Sequence, residues 1–322
     1  MDFGELSALK YLCAMLKQVS VLLFAFMMFG SAKAQPTQFE WKTYSDTIRK
    51  GRAIGLGVGS AALWVGSVAG LNELWYANEE RGKFRIFDDN RVWMHLDNAG
   101  HFFIIFAIGF YYIDLMRWSG FNRETSIWAG GFMGSFYLAG IEILDGFSPQ
   151  WGFSLGDFTA NTAGSFAVIL QELAWNEQRI TPKISYSNSR YAQYRPNLLG
   201  ASLGERLIKD YNAQTYWFSV NIHSFLNDES KFPRWLNFAI GFGADGMIGG
   251  MENPEFDTDG NSLPQVRRYR QFYLSLDVDL TKIRTKKRWL RTIFKAVNII
   301  KLPFPTVEFN PVHKVKFHPI YF

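Results

Sequence analysis

Residues 95–102 read His95-Leu96-Asp97-Asn98-Ala99-Gly100-His101-Phe102, and they lie in an apolar run that spans about residues 92–118. Asp97 and His101 are four apart, which on a helix puts both side chains on one face. Ionisable groups in so apolar a segment are costly unless they pair. The spacing therefore predicts a buried partner set. Two later stretches can supply it: Glu142 and Asp145 close an apolar segment at 125–144, and Asp157 and Asn161 open another that runs to about residue 175. If these helices are neighbours, Asp97, His101, Glu142, Asp145, Asp157 and Asn161 form one buried polar cluster.

A further apolar segment, 53–75, precedes them and is rich in glycine, which lets helix backbones approach closely. Ser154-x-x-Asp157 is a capping-box start for the last segment, with Asp in place of the usual Glu or Gln. Short connections join the last three, and the charged, polar stretch 78–91 separates the first from them. The expected fold class is mainly α, with a four-helix bundle-like domain over 35–176 and a β-containing C-terminal part. The first three segments approach the roughly 20 residues that a membrane span needs. The fourth carries Asp157, Asn161, Gln171 and Glu172 and is a poor lipid-facing helix.

The composition changes after residue 176. Residues 177–200 are rich in Ser, Tyr, Asn and Arg, include Pro182 and Pro196, and read as a linker. Residues 201–322 form an aromatic, basic C-terminal domain, with strands expected at 216–222, 237–242, 271–280, 306–309 and 315–322 and a short amphipathic helix at 291–300. Within 271–280, Phe272, Leu274, Leu276 and Val278 alternate with Tyr273, Ser275, Asp277 and Asp279, so the two sets face opposite ways. The sequence ends in Tyr321-Phe322, an ending shared with outer-membrane barrels. Strands of about nine to eleven residues are too few here for a barrel of about eight, so a partial aromatic-rich sheet is expected.

Aromatic residues make up 17% of the 322 residues, which excludes a disordered chain. Lys17, the apolar stretch 19–29 and Ser31-Ala32-Lys33-Ala34 read as a secretory signal peptide over 1–34, with Gln35 as the mature start. Met15 is a more ordinary initiator than Met1, and an uncleaved first membrane helix is the alternative. The one cysteine, Cys13, lies before the cleavage site and follows no small residue, which argues against a lipid anchor. Disulfide and thiol chemistry are then excluded from the mature chain.

The net charge of +5 is uneven, because residues 277–322 hold ten Lys or Arg against three acids. Lys282, Arg284, Lys286, Lys287, Arg288 and Arg291 form a basic patch, continued by Lys295. No nucleic-acid-binding signature accompanies it, so nucleic acid is not expected as a partner. A membrane surface with anionic lipid, or a membrane protein, suits it better. A solvated charged turn is the plain alternative.

In the cluster, Asp97 can orient the His101 imidazole, as a general base or a metal ligand requires. His101, Glu142 and Asp157 are candidate ligands for a divalent cation such as Mg²⁺, Mn²⁺ or Zn²⁺. No H-E-x-x-H, repeated E-x-x-H or G-x-S-x-G pattern is present, so no catalytic residue is assigned. A structural or interaction protein is expected. The alternatives are a metal-assisted hydrolase or acid–base enzyme acting on an envelope lipid or glycolipid, and an integral inner-membrane binding or transport protein.

Residues 95–102 resemble the D-K-x-x-H-F opening of a family of bacterial envelope proteins, the domain of unknown function 2279 (DUF2279). Residues 140–145, Gly140-Ile141-Glu142-Ile143-Leu144-Asp145, are similar to its second motif, and residues 153–164 to its third. Asn98 stands where the first motif has Lys. The order of motifs is more remotely similar to that of VanZ-like membrane proteins, and the aromatic C-terminal part resembles the Bacteroidetes branch. The resemblance implies an envelope location on the periplasmic side of the outer membrane, and a link to the translocon of type IX secretion. It implies no catalytic activity.

Overall fold

The structure, a computed structural model, describes residues 46–76, 82–88, 91–148, 152–227, 229–257 and 260–322. The expected signal peptide and Cys13 lie outside the described residues. The chain is mixed α/β, with long helices first and an antiparallel six-stranded sheet after them.

The long helices are α1 (Lys50–Tyr76), α2 (Leu96–Ser119), α3 (Arg123–Gly146) and α4 (Leu155–Trp175). Side-chain caps start two of them: Asn122 accepts from the Thr125 amide, and Ser154 from the Asp157 amide. Helix α3 runs antiparallel to α2 at very close range. A Cβ on Gly134 would stand 2.8 Å from the Ile105 carbonyl oxygen, and one on Gly109 would stand 3.0 Å from that of Gly131. Helix α4 is parallel to α2, with Gly164 against the Phe102 carbonyl and Gly109 against Val168. It is antiparallel to α3, with Ser135 bonded to Ser165 at 2.8 Å and Arg123 to Asn176 at 3.0 Å. Phe106, Ile113, Ile127, Val168 and Ile169 fill the space between the three. Helix α1 leans on their outside: Ser60 meets Tyr112 at 2.9 Å, and the Trp64 indole donates to the Tyr137 carbonyl at 3.1 Å. None of its apolar stretch Lys50–Gly70 is buried. The expected four-helix bundle is thus a tight three-helix core plus one outlying helix.

Two short features set the entry points. Strand β1 (Ile86–Phe87) pairs in parallel with β2 (Phe153–Ser154), fixing the start of α4 beside the end of α3. Before α2, Trp93, Met94 and His95 have φ values of 47°, 55° and 74°. Such left-handed backbone is unfavourable in non-glycine residues. It is held by the buried Trp93 ring, and by the Trp93 amide bonded to the Gly250 carbonyl at 2.9 Å.

The sheet is a meander in sequence order: β3 (Ile180–Tyr186), β4 (Gln214–Asn221), β5 (Leu236–Asp245), β6 (Tyr269–Val278), β7 (Phe304–Asn310) and β8 (Lys314–Tyr321). Strand β3 lies inside the stretch read as a linker. Pro182 suggested a loop, but β3 has one strand partner, β4, and an edge strand tolerates a residue without an amide proton. Helices α5 (Pro196–Leu199) and α6 (Leu203–Lys209) follow β3, and α7 (Arg288–Val297) lies between β6 and β7.

The sheet is turned inside out. Along β6 the aromatic-polar set is sheltered, with Tyr273, Ser275 and Asp277 buried, while Phe272, Leu274 and Leu276 are 38–51% exposed. The sheltered face carries a polar network. Lys183 pairs with Asp277 at 2.8 Å with neither side chain exposed, and Ser219 donates to the same carboxylate at 2.7 Å. Glu308 accepts from Gln271 and Asn310 and meets His318 at 2.7 Å. The rings of Trp217, Tyr273 and Tyr321 pack beside it in tilted and edge-on contacts. Sheltered charges and exposed apolar side chains are the opposite of the usual distribution in water-soluble proteins.

Candidate functional site

The polar groups singled out on the helices converge where the bundle meets the sheet. Because α2 and α4 are parallel and α3 antiparallel to both, the first turns of α2 and α4 and the last turn of α3 lie at one level. Asp97 stands in the first turn of α2 and Asp157 in that of α4, where the helix N-termini favour carboxylates.

His101 is the centre. Its Nδ1 lies 3.0 Å from Asn161 Oδ1 and 3.7 Å from Glu142 Oε1. Its Nε2 lies 3.8 Å from Asp157 Oδ2 and 4.0 Å from Asp97 Oδ1. Asn98 donates to Asp157 Oδ1 at 3.0 Å, so the residue that departs from the family motif takes part in the cluster. Ser135 on α3 donates to the Asn161 carbonyl at 3.0 Å. Asp145 lies a turn beyond Glu142, where its carbonyl accepts from the Ser148 and Gly152 amides at 2.9 Å and closes the loop into β2.

The other wall comes from the C-terminal part. The Tyr211 hydroxyl donates to Asp97 Oδ1. Burial, reinforced by the Asp97 carboxylate, pushes this phenol well above its ordinary pKa, so it stays a donor. The Tyr216 hydroxyl donates to Gln214 at 2.5 Å and would touch any Cβ on Gly100. Phe102 packs edge-on against Phe218, and Phe103 against Tyr216. Neither tyrosine was singled out from the sequence. Each is more than a hundred residues from its partner on α2, and no spacing rule links them.

Of the expected cation ligands, His101 and Asp157 face each other through Nε2, whereas Glu142 lies on the Nδ1 side of the ring. The carboxylate that joins them is Asp97. Ligand atoms of Asp97, His101 and Asp157 all lie within 4.8 Å of one another. The arrangement can act as a hydrogen-bonded clasp between bundle and sheet, or as a one-nitrogen, two-oxygen cation site.

Residues 86–172 match the model of DUF2279, a family described as predicted periplasmic lipoprotein. No curated protein and no solved structure matches the chain. The matched stretch runs from β1 into the last turn of α4 and contains the three motifs read from the sequence. It therefore holds Asp97, His101, Glu142, Asp145, Asp157 and Asn161, while Tyr211, Tyr216 and the whole sheet lie beyond it. The family description supports an envelope location. Its word "lipoprotein" differs from the expectation drawn from Cys13, which lies outside the described residues.

The basic patch is divided. Lys282 pairs with Glu177 at 2.6 Å, and Lys295, on α7, with Asp114 of α2 at 2.7 Å. Lys286, Lys287 and Arg288 are exposed at the start of α7. That helix turns Lys295 toward the bundle and leaves Trp289, Ile293 and Val297 37–59% exposed, the same reversal seen in the sheet.

Proposed function

We propose that the protein is a non-enzymatic structural and interaction protein embedded in an envelope membrane, placed at the periplasmic side of the outer membrane. One observation carries this reading: the exposed faces of the sheet, of α7 and of the long helices are apolar, while charged pairs lie inside. Lys183 with Asp277 is inward, and Phe218, Ile240, Phe272, Phe317 and Ile320 are outward. A surface of this kind is stable against hydrocarbon and costly against water. Strands β5 and β6 have 10 residues each, the length of a tilted membrane strand. The polar cluster serves as the clasp that fixes the bundle to the sheet.

A second reading has its own support. Three helical stretches, Lys50–Gly70, Val92–Ser119 and Arg123–Gly146, are long and apolar enough to cross a membrane, which favours an integral inner-membrane protein. Density-gradient separation of the two membranes decides between them. The proposal expects the chain with the outer membrane, released only by detergent. Recovery in the inner membrane supports the second reading, and recovery as a soluble periplasmic protein contradicts both.

A further inference from the structure

We propose that Asp97, His101 and Asp157 bind one divalent metal ion of the class that accepts mixed nitrogen and oxygen ligands, such as Mn²⁺ or Zn²⁺. The argument starts at the imidazole. Nδ1 lies 3.0 Å from Asn161 Oδ1, and the tautomer that donates to this oxygen carries its proton on Nδ1. In the neutral ring Nε2 then carries a lone pair, and it points at two carboxylate oxygens. Their distances, 3.8 Å to Asp157 Oδ2 and 4.0 Å to Asp97 Oδ1, are too long for hydrogen bonds. They lie close to the spacing around a shared ion: ligand atoms about 2.0–2.3 Å from one metal in a tetrahedral array stand roughly 3.3–3.8 Å apart, so binding would draw the two carboxylates in by a few tenths of an ångström.

The surroundings hold these ligands as metal sites do. Asn161 sets the histidine tautomer. Asn98 engages Asp157 Oδ1, the oxygen not turned toward His101, and Tyr211 orients Asp97 by donating to its Oδ1. A bound ion would tie α2 to α4 directly, and to the C-terminal part through Tyr211. This inference rests on the cluster being the junction of bundle and sheet. It does not depend on which membrane holds the protein.

The test uses the full chain in detergent, stripped with chelator and titrated with Mn²⁺ alone. Electron paramagnetic resonance then counts bound ions, and pulsed spectra of protein carrying ¹⁵N-histidine show whether an imidazole nitrogen is coupled. The expected result is one ion per chain, a nitrogen coupling, and a higher thermal midpoint with Mn²⁺. His101→Gln should abolish the coupling, and Asp157→Asn should weaken binding at least about tenfold. If His101→Gln fails to fold, the coupling in the wild-type chain and the Asp157→Asn affinity decide. Absence of stoichiometric binding, binding without nitrogen coupling, or an unchanged affinity in Asp157→Asn overturns the proposal. A chain that binds no ion but separates bundle from sheet when Tyr211 is replaced would retain the clasp and lose the metal.

Discussion

A single methyl group tests how closely the helices pack. The would-be Cβ of Gly134 stands 2.8 Å from the Ile105 carbonyl oxygen, a backbone atom that can yield only if α2 moves away from α3. Gly134→Ala should therefore destabilise the fold by about 1–3 kcal/mol. Gly57, on α1, has no atom within 4 Å of its would-be Cβ. There the same change should stabilise by about 0.5–1 kcal/mol, the helix-propensity gain of alanine. Unfolding midpoints in detergent measure both, and equal effects would contradict the described packing. Tyr211→Phe removes one donor from Asp97 without changing shape. It should cost about 1.5–3 kcal/mol, as a hydrogen bond to a charged group does. Protease sensitivity of the loops around residue 211 should rise with it. A neutral outcome on both measurements would remove Tyr211 from the clasp.

The elements were unevenly legible in the sequence. The start of α4 was readable because Ser154 caps the Asp157 amide, a local signal with a local cause. Strand β6 was readable from its strict alternation. Which of its faces is sheltered was not, since a period of two gives two faces and does not say which solvent surrounds them. Strand β3 was hidden by Pro182, whose edge position follows only from the sheet order. Asp97, His101, Glu142, Asp157 and Asn161 could be grouped by helical spacing, but the sheet side of their site could not. Lys183 on β3 and Asp277 on β6 show what that sheltered face contains. Lys183→Met leaves the carboxylate buried without its nearest ammonium and should cost about 3–5 kcal/mol, whereas replacing both partners with apolar residues should cost less. Unfolding midpoints of the single and double variants check this. At α7, reversing Lys286, Lys287 and Arg288 to glutamate should weaken binding to vesicles rich in anionic lipid. The loss is about 1 kcal/mol for each base removed and should fade as salt rises. Vesicle flotation measures it, and salt-independent binding would leave those residues as a solvated turn.

At the scale of the whole molecule, the helices and the sheet agree. The helices turn glycine, serine and the polar cluster toward one another, and Phe136, Ile143 and Phe158 outward. The sheet shelters its charges and exposes aromatic and aliphatic side chains. Both follow from one rule, that apolar surface faces the phase that costs least. The central claim is that this phase is lipid. Nitroxide labels on single cysteines at Leu274, Ile293 and Ile320, in a Cys13→Ser background reconstituted in liposomes, test it most directly by comparing collisions with oxygen and with an aqueous nickel chelate. The account predicts oxygen-dominated collisions at all three positions. Free access of the nickel chelate to them would contradict it.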